Sequence, residues 1–116
     1  MAKAPRPPPA ARPAPALPRW ARGRCPDATR IAVIRRDGAC VYCLAMGDLT
    51  LDHVVPVSER LDHRPSNLVA ACFPCNRDRG VVDCDLFCRH MSRRTLEPWA
   101  RIYARVRAAL ATPIEE

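Results

Sequence analysis

Four cysteines carry the clearest chemistry in this sequence. Cys40 and Cys43 form one Cys-x-x-Cys pair and Cys72 and Cys75 a second, with 28 residues between the pairs. A two-residue spacer lets a tight turn aim two thiolates at one ion. Together the pairs predict a tetrahedral, structural Zn2+ that clamps the ends of a folded insert. The insert carries Leu51-Asp52-His53-Val54-Val55-Pro56, and the second pair runs directly into Asn76-Arg77-Asp78-Arg79-Gly80. A carboxylate, an imidazole and amides are suited to a second, working metal. Adjacent strand residues point to opposite faces, so Asp52 and His53 divide the labour: one reaches a metal from the strand edge while the other takes a proton.

The totals explain why a small fold would want such a clamp. Among 116 residues there are two Trp, two Tyr and two Phe, and part of the 48% hydrophobic content is alanine in an N-terminal tail. The core must be small, and a structural metal substitutes for missing apolar burial. Seven cysteines are an odd number for disulfides. With no continuous apolar signal segment and no run of membrane-spanning length, a reducing, cytoplasmic setting and no membrane partner are expected.

The formal net charge is +7. Six of the basic residues, from Lys3 to Arg24, lie in residues 1–24 without a single acid, which leaves only +1 for the rest. That tail also holds seven of the thirteen prolines and reads as disordered or polyproline-like, an arm suited to a polyanion such as DNA. Three parts are therefore expected: a tail over 1–24, a domain over 25–94 and a C-terminal helical extension over 95–116.

Within the domain, Asp27 can cap a helix over 27–36 whose Ile31, Val33 and Ile34 face a core. Leu49 to Val55 alternates and is rich in β-branched residues, a short strand ended by Pro56. Val57 to Ser66 is too polar for a core and reads as a surface loop. Leu68 to Cys72 is short enough for a second, antiparallel strand, although periodicity alone leaves a helical turn open. A short helix from Cys75 to about Val81 stops at Gly80. Cys84, Leu86, Phe87 and Met91 suit an amphipathic segment. A last helix from near Thr95 buries Leu96, Trp99, Ile102, Val106 and Leu110 and turns Arg101, Arg105 and Arg107 to solvent.

Cys-Val-Tyr-Cys, then Leu-Asp-His-Val-Val-Pro, then Ser-Asn-Leu-Val-Ala-Ala-Cys-Phe-Pro-Cys-Asn-Arg-Asp-Arg-Gly resembles the HNH endonuclease pattern with an added four-cysteine zinc site. The resemblance covers roughly residues 30–81. It implies a small α+β fold with a ββα-metal core, two antiparallel strands and a helix closing on a divalent cation, flanked by short helices and a C-terminal helix. It further implies phosphodiester hydrolysis in DNA with His53 as general base, Asp52 as carboxylate metal ligand, Asn67 as the central asparagine and Asn76 as the final metal-binding position. Oxygens from Asp52 and Asn76 suit Mg2+ or Mn2+, and Arg77 and Arg79 are expected to contact phosphate. The sequence departs from the pattern in its 59–65 loop, which lacks the usual Gly-Gly, and in Asn76 and Arg79, where many relatives have His and Lys.

Two rival readings accompany this one. A noncatalytic zinc-knuckle module would bind nucleic acid through the tail and helices, and a nuclease subunit would act within a larger packaging or restriction assembly. His63 is expected to be merely exposed in its polar loop. Cys84 and Cys88 are read as small buried hydrophobes rather than, with His90, a further metal site.

Overall fold

The computed structural model describes residues 3–9 and 16–114. The expected tail therefore lies partly outside the described residues. Its last part is engaged: Arg19–Ala21 form a 3-10 turn, and the Trp20 ring lies 3.9 Å beneath the Arg64 guanidinium.

A hairpin with a long connection forms the centre. Strand β1 (Leu49–His53) pairs antiparallel with β2 (Leu68–Cys72), in a register that sets Asp52 opposite Val69 and His53 opposite Leu68. Every residue of β2 is buried. With only two strands in the sheet among the described residues, its far edge needs other partners, because unpaired buried amides and carbonyls are costly. They come from α1 (Asp27–Asp37) and from the first cysteine turn. Asp37 Oδ2 accepts the Ala70 amide at 2.8 Å, Arg36 donates to Leu68 O and Pro65 O, and the Val41 amide donates to Ala70 O at 3.0 Å.

Helix α1 ends at Gly38, whose left-handed backbone (φ 72°) suits a residue without Cβ. Its inward positions are Thr29, Ala32 and Val33, whereas Ile31 is half exposed. The expected apolar face is thus rotated, because the edge contacts of Arg36 and Asp37 set the helix's orientation. After β2, Pro74 sits in the first turn of α2 (Phe73–Arg79), where a missing N–H costs nothing, and Gly80 ends the helix. The fold is a small α+β arrangement of two strands and, among the described residues, four helices.

Helices α3 (Cys84–Thr95) and α4 (Trp99–Ala111) pack on each other and close the core with Phe87, Cys88, Met91, Ile102 and Val106. Leu96, expected inside, is 90% exposed, and Leu86 of the amphipathic segment is 55% exposed. Leu96 is the left-handed cap of α3 (φ 63°), so α4 starts only after Pro98 rather than near Thr95. Arg105, expected in solvent, is half-buried and donates to Val41 O at 2.9 Å, tying α4 to the cysteine turn. No helix among the described residues is long and apolar enough to cross a membrane.

Candidate metal centre and histidine site

The sulfurs of Cys40, Cys43, Cys72 and Cys75 all lie within 4.8 Å of one another, and the Cys43 and Cys72 sulfurs are 3.6 Å apart. Four Zn–S bonds of about 2.3 Å set tetrahedral sulfurs about 3.8 Å apart, so the donor set fits Zn2+. Local backbone builds this cluster. Cys40 to Leu44 form a turn in which the Leu44 amide donates to Cys40 O at 2.8 Å with Leu44 at φ 69°. Cys72 ends β2 and Cys75 follows in the first turn of α2, where the Phe73 amide is held by Asp48 O at 3.0 Å. Burial, then the hydrogen bond to Cys72 and the thiols around it, pushes the Cys75 thiol far above its ordinary range. A cation must offset that penalty for the cluster to bind as thiolates.

Asp52 and His53 stand on opposite faces of β1, as strand geometry requires. Asp52 is 3% exposed. Its Oδ1 accepts from Arg79 Nη1 at 2.6 Å, and its Oδ2 accepts from the Tyr42 hydroxyl. Burial lifts the Asp52 carboxyl above its ordinary range, against the pull of Arg79 and of the hydrogen bonds from Tyr42 and Arg79. Arg79 is 1% exposed and also donates to the carbonyls of His53, Val54 and Val82, so four of its five N–H groups are engaged. Arg79, expected as a phosphate contact, is instead an internal clasp between the end of α2 and the end of β1. Arg77 keeps an exposed side chain, 3.3 Å from Asp78.

Asn76 Nδ2 donates to Thr50 Oγ1 and Leu51 O, both at 2.8 Å. The Leu51 carbonyl only accepts, which fixes the amide's orientation and leaves Oδ1 as the remaining donor atom for a cation. Asp52 is different, because both its oxygens have partners and its charge is matched inside the protein by Arg79. Among the described residues no buried side-chain oxygen or nitrogen lacks a partner. Both Asp52 oxygens thus have protein partners, whereas Asn76 keeps Oδ1 for a cation.

On the other face, His53 is half-buried and its Nε2 lies 2.9 Å from Nδ1 of His63. His63, expected in solvent, is 4% exposed. Burial, then the His63 ring, holds His53 below the ordinary histidine range, against the nearby Asp62 carboxylate. Asn67 clamps the chain as it leaves β1: its Oδ1 accepts the Val55 amide at 2.8 Å, and its Nδ2 donates to Asp62 O at 3.0 Å and Val55 O at 3.3 Å. The structure thus gathers His53, His63 and Asn67 around one corner, and sets Asp52 with Arg79 on the opposite face.

Sequence reasoning missed His63, because a histidine among charged loop residues gives no burial signal. Tyr42, between the first two cysteines, carries no signal in the sequence beyond that of an aromatic packing residue. It packs edge-on to Phe87 at 4.9 Å, but it also holds Asp52.

The family model described as HNH endonuclease matches residues 40–81, less than half of the chain. That span runs from the first zinc-type cysteine through both strands and α2, and it bears out the resemblance read from the motifs. Comparison with curated proteins finds no match.

Proposed function

We propose that this protein is an HNH-type nuclease that hydrolyses phosphodiester bonds in DNA, with His53 as general base. The observation that carries this reading is the corner just described, a half-buried imidazole at the end of β1 held by a buried histidine and flanked by the Asn67 clamp, inside the span that matches the family. In this mechanism neutral His53 takes a proton from water, the water oxygen attacks phosphorus, and the bond to the 3′-oxygen breaks as that oxygen takes a proton from solvent and leaves as the 3′-hydroxyl. Asn67 is a positioning residue that fixes the backbone next to the base. Arg77, exposed at the surface, is the member of the expected pair that meets phosphate, and the net charge of +7 favours a polyanion.

No step is assigned to a cation between Asp52 and Asn76, since Arg79 already stands against that carboxylate. The need for Mg2+ or Mn2+ is read by running the same cleavage assay with and without each ion. The Asp52–Arg79 pairing is also the observation that favours the rival, a noncatalytic zinc module that binds nucleic acid without cutting it.

His53→Ala is expected to lower cleavage about 10²–10⁴-fold, the usual span for losing a general base, while zinc content and DNA binding stay intact. The pH profile gives a second test. His53 protonates below the ordinary histidine value, so the rate should rise with pH through an ionisation centred below about 6.5 and then level off. The groups facing the imidazole are His63 and Asp62. A profile flat across this limb would remove His53 from the role.

A further inference from the structure

The surroundings of His63 lead beyond the motif. Its backbone amide donates to Trp20 O at 2.7 Å, its Nε2 lies 2.7 Å from Gly23 O, and its Nδ1 faces His53 Nε2 at 2.9 Å. A carbonyl only accepts, so His63 must carry a proton on Nε2. With both rings neutral, its Nδ1 is then a lone pair, and the proton between the two rings belongs to His53 Nε2. The remaining nitrogen of His53, Nδ1, is the basic one.

We propose that His63 is the positioning residue for His53, holding it as the Nε2–H tautomer with Nδ1 free for the water, and that residues 19–23 belong to the active site because they orient His63. This inference rests on the nuclease reading for its effect on rate, and on hydrogen-bond geometry alone for the tautomers. The segment is built to hold its place. Arg64, ion-paired with Asp62 at 2.9 Å, stacks on Trp20 and so fastens the segment to the loop that carries His63. Gly23 has φ +59°, a conformation that side chains with a Cβ rarely adopt, and it aims the carbonyl at the ring. The region that composition reads as solvated tail thus supplies the last acceptor of a chain running Gly23 O, His63, His53. The logic is that of any base held in tautomer and orientation by a third group.

The test uses the full zinc-loaded chain. Long-range proton–nitrogen NMR correlations at about pH 8 should show both histidines with the proton on Nε2, and His53 should lose that single-tautomer pattern in His63→Ala. In plasmid cleavage, His63→Ala should reduce kcat about 10–100-fold with KM changed less than about twofold. His63→Asn, whose Oδ1 can stand in for Nδ1, should recover most of the rate. A Cβ added at Gly23 meets no atom within 4 Å, so Gly23→Ala acts only through the backbone. It should also lower kcat, and it should add little to His63→Ala because the two act in one chain. A proton on His53 Nδ1, or a His63→Ala enzyme with wild-type kcat, overturns the proposal. A wild-type chain that cuts no DNA defeats the nuclease reading instead, while the NMR result still decides the tautomers.

Discussion

Stripping the metal from the four-cysteine cluster is expected to unfold the protein. Structural Zn2+ contributes an apparent 10–16 kcal/mol or so in small zinc domains, as much as the entire stability of a typical domain, about 5–15 kcal/mol. Here the dependence is sharpened by what the cluster joins. Cys40 and Cys43 hold the turn whose Val41 amide and carbonyl engage β2 and α4, and Cys72 and Cys75 hold the junction of β2 with α2. Loss of the ion leaves four crowded thiols, three of them buried. Far-UV circular dichroism with a strong chelator should show helix loss at a temperature where the zinc-loaded protein is folded, together with release of about one zinc per chain. Cys75→Ser should behave like the chelated protein. Chelation that leaves the melting curve unchanged would remove zinc from the fold.

The second large effect belongs to the clasp. Arg79→Ala should destabilise the zinc-loaded protein by about 3–5 kcal/mol, the usual cost of breaking one side of a buried ion pair. The loss leaves the Asp52 carboxylate without its counter-charge and deprives the carbonyls of His53, Val54 and Val82 of their shared donor. Arg79→Lys should recover only part of this, because a single ammonium cannot reproduce a planar fork that feeds four acceptors. Asp52→Ala in the Arg79→Ala background should cost far less than in the wild type, since residues in direct contact are coupled. Urea denaturation of the four proteins measures that coupling. Additive losses would show that the two side chains act independently.

These effects mark where the sequence was legible. Zinc-type spacing is a local demand, satisfied by two residues between thiols, so the cluster was readable from order alone. The strands were readable because Leu49 to Val55 alternates, Leu68 to Cys72 is apolar, and both are short and punctuated by Pro56 and by the second cysteine pair. Arg79 was misread for a physical reason: a cation just after the second pair suits phosphate, and only the antiparallel register and the return of α2 bring it within 2.6 Å of Asp52, 27 residues earlier. His63 was misread in the same way, since its acceptors lie in a proline-rich, basic segment 40 residues upstream whose composition suggests solvent. Leu96 fits the helical period of α4 on paper, but the left-handed cap at the end of α3 interrupts the pattern there.

The measurement that tests the central claim is cleavage of supercoiled plasmid by the zinc-loaded wild type and by His53→Ala, in parallel incubations containing Mg2+, Mn2+ or neither. The account predicts nicked or linear product from the wild type in at least one condition, reduced about 10²–10⁴-fold in the variant at equal zinc content and DNA binding. Wild-type cleavage by His53→Ala, or binding by the wild type with no cleavage in any condition, would contradict it.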